Sequence, residues 1–143
     1  MPDVAKPISV MPEEMVGVTH KFDIAGHEGY INIGEFENGQ PRFVHITMAK
    51  EGSTLGGLVD SLGLAITIGL EHGVPLRSYA DQLIGLRFEP CGFTNNSRIQ
   101  MARSIVDYII HWMAMKYIPG WPDGDVDDQG KLRLGDIQAV QKT

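Results

Sequence analysis

The 143-residue chain is long enough for a single domain with its own hydrophobic core, and its 43% hydrophobic and 21% charged content is that of a folded soluble protein. Its formal net charge of -6 argues against a nucleic-acid partner, because binding to phosphates needs a basic surface. One cysteine excludes an internal disulfide, and the sequence contains neither a signal-peptide core nor a run of about 18 apolar residues. We therefore expect a cytoplasmic protein without a membrane span.

The first half of the chain predicts an antiparallel sheet. Residues 1–17, interrupted by three prolines, predict an extended arm. Phe22 and Ile24 then alternate with polar residues, and residues 30–36 and 42–48 repeat the alternation that is typical of strands. An Asn38-Gly39 turn connects the last two segments. Three short strands with tight connections are therefore expected.

A long helix is predicted after the strands. Ser53 or Thr54 is expected to serve as its N-cap, and Gly73 to end it after His72. Its predicted buried stripe consists of apolar and small residues at helical spacing: Leu55, Leu58, Val59, Leu62, Ala65, Ile66 and Gly69. Each glycine costs a helix about 1 kcal/mol relative to alanine, so we expect the glycines of this helix to permit close packing.

Two more helices are expected, over residues 76–86 and from Asn96-Ser97 to Ile118. The main apolar stripe of the third helix is Ile99, Ala102, Ile105, Val106, Ile109 and Met113. Large residues off this stripe, Tyr108, Trp112 and Met115, indicate a central helix or an intermolecular contact, and from them we expect a homodimer. The predicted fold class is α+β, with a three-stranded antiparallel sheet followed by three helices packed on one face.

Residues 119–143 predict a polar, acidic tail. Aspartates at alternate positions resemble the start of a calcium-binding loop. However, Asp128 stands where that loop needs glycine, and Leu134 stands where it needs a bidentate glutamate. A solvated tail is therefore the preferred interpretation.

The segment between the second and third helices is the first candidate for a functional site. Its candidate residues are Arg87, Phe88, Glu89, Cys91, Phe93, Thr94 and Asn95. Cys91 could be a nucleophile if a histidine lay beside it, or a small half-buried filler. Arg87 or Glu89 could bond the exposed backbone groups of the connection, and we favour this scaffold role over catalysis.

Histidines near the first strands are secondary candidates. Asp23, His27 and Glu28 crowd one turn, and His45 could lie opposite them if the strands pair. These residues could bind a metal or simply form a polar turn, and the absence of a closed ligand spacing favours the turn. His20 is a further histidine whose distance from Cys91 the sequence does not give. We expect no metal site.

Six short strings occur in order along residues 18–118. They are Thr19-His20-Lys21-Phe22, Gly26-His27-Glu28-Gly29-Tyr30, Met48-Ala49-Lys50-Glu51-Gly52-Ser53, Gly73-Val74-Pro75-Leu76, Arg87-Phe88-Glu89-Pro90 with Gly92-Phe93-Thr94-Asn95, and Ser104-Ile105-Val106-Asp107-Tyr108. This series resembles the TSCPD domain found near the C-terminus of adenosylcobalamin-dependent (class II) ribonucleotide reductases. The domain so defined spans residues 18–118, and the arm and the tail lie outside the resemblance.

The resemblance implies a role in deoxyribonucleotide synthesis. Reduction in that family needs a radical cysteine and redox pairs of cysteines, which one cysteine cannot supply, so this chain is not expected to be catalytic alone. Where the family's loop is expected to have serine, this chain has Cys91. The implied role is an accessory or C-terminal-domain-like component, with adenosylcobalamin in a separate catalytic chain and no cofactor bound here. A free-standing oligomeric binding module with an unknown ligand is the alternative, and an independent enzyme using Cys91 is a third.

Overall fold

The computed structural model describes residues 10–122. These residues divide into two units, one of residues 10–21 with 28–75 and the other of residues 22–27 with 76–122. The predicted α+β class is confirmed, because three antiparallel strands are followed by three helices. The predictions for residues 1–9 and for the aspartate-rich tail from residue 123 lie outside the described residues.

Three strands form a sheet in the order β1-β2-β3, with β1 at Gly17–Ile24, β2 at His27–Glu35 and β3 at Pro41–Met48. The register of β2 and β3 places Ile31 opposite Ile46 and Ile33 opposite Val44, and all four side chains are buried. Alternation of polar and apolar residues therefore predicted the correct buried face. The β1–β2 turn is tighter than expected, because positive φ at Ala25 and Gly26 lets β2 begin at His27.

Helix α1 (Ser53–Glu71) packs against β3 of the first unit. The Thr67 hydroxyl accepts a hydrogen bond from the Val44 backbone N–H at 2.9 Å and lies 2.8 Å from the carbonyl oxygen of Gly63. A Cβ at Gly63 would lie 2.9 Å from the carbonyl oxygen of Val44. Gly63 thus permits the close approach at which Thr67 satisfies the backbone of β3, a strand at the end of the sheet order.

Two details of α1 differ from the prediction. The N-cap is Gly52, which has no side chain to accept a hydrogen bond, so neither Ser53 nor Thr54 caps the helix. The buried face contains Gly63, Thr67 and Leu70 with Val59 and Ile66, whereas Leu58 and Ala65 face solvent. The expected end is confirmed, since His72 is the C-cap and Gly73 has a φ of +89°. By length and composition α1 could cross a membrane. This is weak evidence for a membrane span, because core helices of soluble proteins meet the same criterion.

The second unit contains α2 (Leu76–Leu83), β4 (Gly92–Phe93), β5 (Met101–Ala102) and α3 (Ile105–Tyr117). Helix α2 ends three residues before its predicted end, and α3 begins eight residues after its predicted start. The unexpected β4 and β5 pair in a two-stranded antiparallel sheet between the helices.

Local hydrogen bonds explain why α3 does not begin at Asn96. The Thr94 hydroxyl accepts from the Asn96 N–H at 3.0 Å, and the Asn96 side chain accepts from the Arg98 N–H at 2.9 Å. The Thr94 N–H also bonds the Gln100 carbonyl oxygen at 2.9 Å. Residues that can cap a helix thus close a tight loop here, and Ser104 caps α3 instead.

Helix α3 is buried on nearly every side. Ile105, Tyr108, Ile109, Ile110 and Met113 are at most 1% exposed, and the Tyr108 ring lies 5.1 Å from that of Phe22 in the same unit. Of the two interpretations of its apolar surface, the central helix is therefore correct. Tyr108 is not available for an intermolecular contact.

Candidate functional site

The first half of the candidate loop is held by the start of α3. One carboxylate oxygen of Asp107 accepts from the Gly85 N–H at 2.7 Å, and the other accepts from the Arg103 N–H at 3.0 Å. The Ser104 hydroxyl donates to the Leu86 carbonyl oxygen at 2.7 Å and accepts from the Asp107 N–H at 3.0 Å. Because four backbone groups bond these two side chains, the connection after α2 has a fixed path.

The same carboxylate faces a buried cation. Nη1 of Arg103 lies 3.6 Å from Oδ1 of Asp107, and their side chains are 3% and 0% exposed. Removing one member of a buried ion pair leaves the other charge without compensation, which costs much more than losing an exposed pair. The Arg103 carbonyl oxygen also accepts from the Phe88 N–H at 3.1 Å, so this residue contacts the loop through its backbone.

The second half of the loop is held by the β1–β2 turn of the same unit. The Ala25 N–H donates to the Phe93 carbonyl oxygen at 2.8 Å, and the Asp23 N–H donates to the Asn95 side chain at 3.1 Å. Thr94 bridges to Ile24. Two of the predicted site residues, Thr94 and Asn95, therefore act here as structural contacts of the loop.

The outer side of the loop presents aromatic and charged side chains to solvent. Phe93 is 74% exposed and Phe88 is 44% exposed, and Arg87 and Glu89 are exposed beside them. The Glu89–Pro90 peptide bond is cis. Met101, the strand partner of Phe93, is 37% exposed. This arrangement suits a contact with another macromolecule, because exposed aromatic and arginine side chains are enriched in protein interfaces.

The predicted scaffold role of Arg87 and Glu89 is wrong. Within residues 10–122 neither side chain makes a hydrogen bond or an ion pair, and Ser104 and Asp107 hold the backbone instead. Cys91 is half-buried and makes no polar contact within the same residues, so no described histidine activates it as a nucleophile.

The secondary candidates do not form one cluster. The strand register places Asn32 opposite His45, and the carbonyl oxygen of Glu28 bonds Ala49. His45 lies 3.3 Å from Asp60, and Glu28 lies 4.0 Å from Lys21. His20 and His27 make contacts of their own. Among the described residues, no three potential metal ligands lie together.

Comparison with protein families matches residues 5–117 to the TSCPD domain, which is more than three quarters of the chain. The chain belongs to the TSCPD domain family. No solved structure matches it.

Curated relatives of this TSCPD chain are much longer proteins. It is 46% identical over 110 residues to the vitamin B12-dependent ribonucleotide reductase of Rhodopirellula baltica, which covers 77% of this chain and 11% of that protein. The proteins of the same name from Streptantibioticus cattleyicolor and Bradyrhizobium diazoefficiens are 38% and 36% identical. These matches cover 76% and 82% of this chain and 18% and 9% of the relatives. The chain thus spans between 9% and 18% of the length of these relatives.

Sequence reasoning missed the residues that organise the TSCPD loop. Ser104 and Asp107 have the spacing of a capping box, Ser-x-x-Asp before an apolar run, and this signal was available. Arg103 gave no comparable signal. The Asn96 amide donates to the Tyr108 hydroxyl at 3.0 Å, whereas the sequence placed Asn96 at the start of the third helix. Burial raises the pKa of Tyr108, and the Asn96 hydrogen bond opposes part of that rise.

Proposed function

We propose that this TSCPD chain is an accessory or C-terminal-domain-like component of a cobalamin-dependent ribonucleotide reductase, and that it is not catalytic alone. The observation that carries the proposal is the 46% identity to one part of a much longer vitamin B12-dependent reductase. The chain has one cysteine, whereas a dithiol needs two, so it contributes by contact with a catalytic chain. Adenosylcobalamin belongs to that catalytic chain, and both proteins act in the cytoplasm.

The loop from Arg87 to Phe93 is the first surface through which such contact would occur. Its backbone is held at Phe88 by the Arg103 carbonyl oxygen and at Phe93 by the Ala25 N–H, so both aromatic side chains are presented on a fixed support. Arg87 and Glu89 have no competing ion pair within the described residues. A rigid support with free aromatic and charged side chains lowers the entropic cost of binding.

The proposal is tested by purifying the tagged chain from its native cells under gentle conditions. Recovery of the cobalamin-dependent reductase chain in stoichiometric amount is the expected result. A matched Phe93→Ser variant should fold normally, since Phe93 is 74% exposed, and should recover less reductase. Absence of the reductase with the wild-type chain would contradict the proposal and leave the free-standing binding module as the better interpretation.

A homodimer, predicted from Tyr108, Trp112 and Met115, loses its main support because Tyr108 is 0% exposed. Trp112 and Met115 are half-buried. We expect the isolated chain to be a monomer at micromolar concentration in light scattering. A dimer would restore the earlier interpretation through a different surface.

A further inference from the structure

Helix α1 presents a broad apolar face to solvent. Leu58, Leu64 and Ile68 are 65%, 62% and 52% exposed, and with Ser61 and Ala65 they lie on the side opposite the buried residues Val59, Ile66 and Leu70. Single exposed apolar side chains need no explanation, but three large ones on one helix face form a patch of the kind that marks interaction sites.

The face also lacks the charges of a solvated helix. From Ser53 to Leu70 the only charged residue of α1 is Asp60, and no acidic residue lies in the first turn and no basic residue in the last. Asp60 lies 3.3 Å from His45 of β3, beside the apolar face and outside the set of exposed apolar residues. A partner for this face would therefore be apolar and uncharged at the contact, since a charge there would be desolvated without compensation.

The area of the face discriminates between partners. A helix of 19 residues is about 28 Å long and about 10 Å wide, so one face projects roughly 300 Å². Two copies that buried only this face against each other would remove roughly 600 Å², which is the size of a crystal contact and too small for a stable dimer. A larger partner that also contacts the loop from Arg87 to Phe93 would bury more than this face alone, whereas two copies joined only through α1 would not.

The relatives indicate a partner of that size. In the Rhodopirellula baltica reductase the matching segment is 11% of the protein, so the remaining nine tenths of the chain is tethered to it. We infer that the exposed face of α1, centred on Leu64 and Ile68, docks on an apolar surface of the catalytic part of a cobalamin-dependent reductase. This inference rests on the proposed function and specifies one surface of this chain that carries it.

The test measures binding of the full 143-residue chain to the cobalamin-dependent reductase purified from the same organism, by isothermal titration calorimetry. Leu64→Glu and Ile68→Lys place opposite charges on the face. A loss of affinity that both variants share is therefore not a long-range electrostatic effect. Gln82→Glu, at an exposed position of α2, is the control for the added negative charge. Circular dichroism and thermal midpoints verify that each variant is folded, and either α1 variant suffices if the other does not fold.

The expected result is a dissociation constant raised roughly tenfold or more by both α1 variants and unchanged by Gln82→Glu. Wild-type binding that neither α1 variant weakens would overturn the inference while leaving the proposed function intact. No wild-type binding would overturn both. Two further results would also overturn it by identifying another occupant: a wild-type dimer in light scattering that Leu64→Glu dissociates, or wild-type binding to phosphatidylcholine vesicles that Leu64→Glu abolishes.

Discussion

Asp107 has three partners at the start of α3. Its carboxylate, which is 0% exposed, accepts from the N–H groups of Gly85 and Arg103 and faces the Arg103 guanidinium, which is 3% exposed. We predict that Asp107→Ala lowers the free energy of unfolding by about 3–5 kcal/mol, because it removes the carboxylate that faces a buried cation and the acceptor of two backbone N–H groups. Urea unfolding followed by circular dichroism measures the change.

Asp81→Ala is the control for this prediction. Asp81 pairs with Arg77 at the same sequence spacing, but both side chains are more than half exposed. Asp81→Ala should lower the free energy of unfolding by less than about 0.5 kcal/mol, because solvent screens an exposed pair. A loss below about 1 kcal/mol for Asp107→Ala would show that the buried pair does not stabilise the loop.

Tyr108 links stability to alkaline pH. Burial raises its pKa above the ordinary tyrosine value, so the folded protein retains the phenol proton that the unfolded chain releases near pH 10. The contribution to stability is complete below about pH 10 and is lost as the pH rises through the pKa of the folded state.

We therefore predict that the free energy of unfolding falls more steeply above about pH 10 in the wild type than in Tyr108→Phe. The variant starts from a lower value because the Asn96 amide loses its acceptor. Urea titrations between pH 8 and pH 11 measure both slopes, and return to pH 8 tests reversibility. Equal slopes would contradict the assignment to Tyr108.

Single residues could be placed from the sequence only where their partners lie nearby along the chain. The capping-box spacing of Ser104 and Asp107 is local and could have been predicted. The bond between Asp23 and Asn95 joins residues 72 apart, and nothing in either neighbourhood indicates the other. His45 was misplaced for the same reason, since its position depends on a strand register that only the whole sheet determines.

Among the elements, α1 provides a direct test of close packing. Gly63→Ala would place its Cβ 2.9 Å from the carbonyl oxygen of Val44, a backbone atom that cannot rotate away. We predict a loss of about 1–3 kcal/mol in the free energy of unfolding despite the better helix propensity of alanine.

Gly56→Ala is the matched control in the same helix, because a Cβ there would meet no atom within 4 Å. It should stabilise the protein by up to about 1 kcal/mol through helix propensity alone. Thermal and urea unfolding of the two variants give the comparison. Stabilisation by both substitutions would mean that α1 and β3 can separate without cost.

The strands were predictable and the start of α3 was not, for a physical reason. Alternation with period two recurs over three segments and is reinforced by the Asn38-Gly39 turn, so several signals agree. Helix starts depend on capping side chains, and the chain offers such residues at Ser53, at Asn96 and at Ser104. Only Ser104 caps a helix, while Asn96 closes a loop and α1 begins after Gly52. The type of residue alone does not determine whether its side chain caps a helix or closes a loop.

For the whole molecule, the family could be predicted from the sequence, but the surfaces available to a partner could not. Residues 5–117 match the TSCPD domain, as the six strings indicated. The helix chosen for an intermolecular contact, α3, is buried, whereas α1, chosen as a core helix, is half exposed. Both helices are strongly apolar, and only the packing decides which face each one leaves in solvent.

Reduction of a ribonucleotide takes two electrons, and a protein dithiol supplies them by forming a disulfide, which one cysteine cannot do within a single chain. We predict that the purified chain, given a ribonucleotide, adenosylcobalamin and a reducing dithiol, forms no deoxyribonucleotide above the level of a Cys91→Ser control in a chromatographic assay. Turnover that Cys91→Ser abolishes would contradict this and would support an independent enzyme. Because Cys91 is half-buried and has no polar partner within residues 10–122, the two proteins should be indistinguishable.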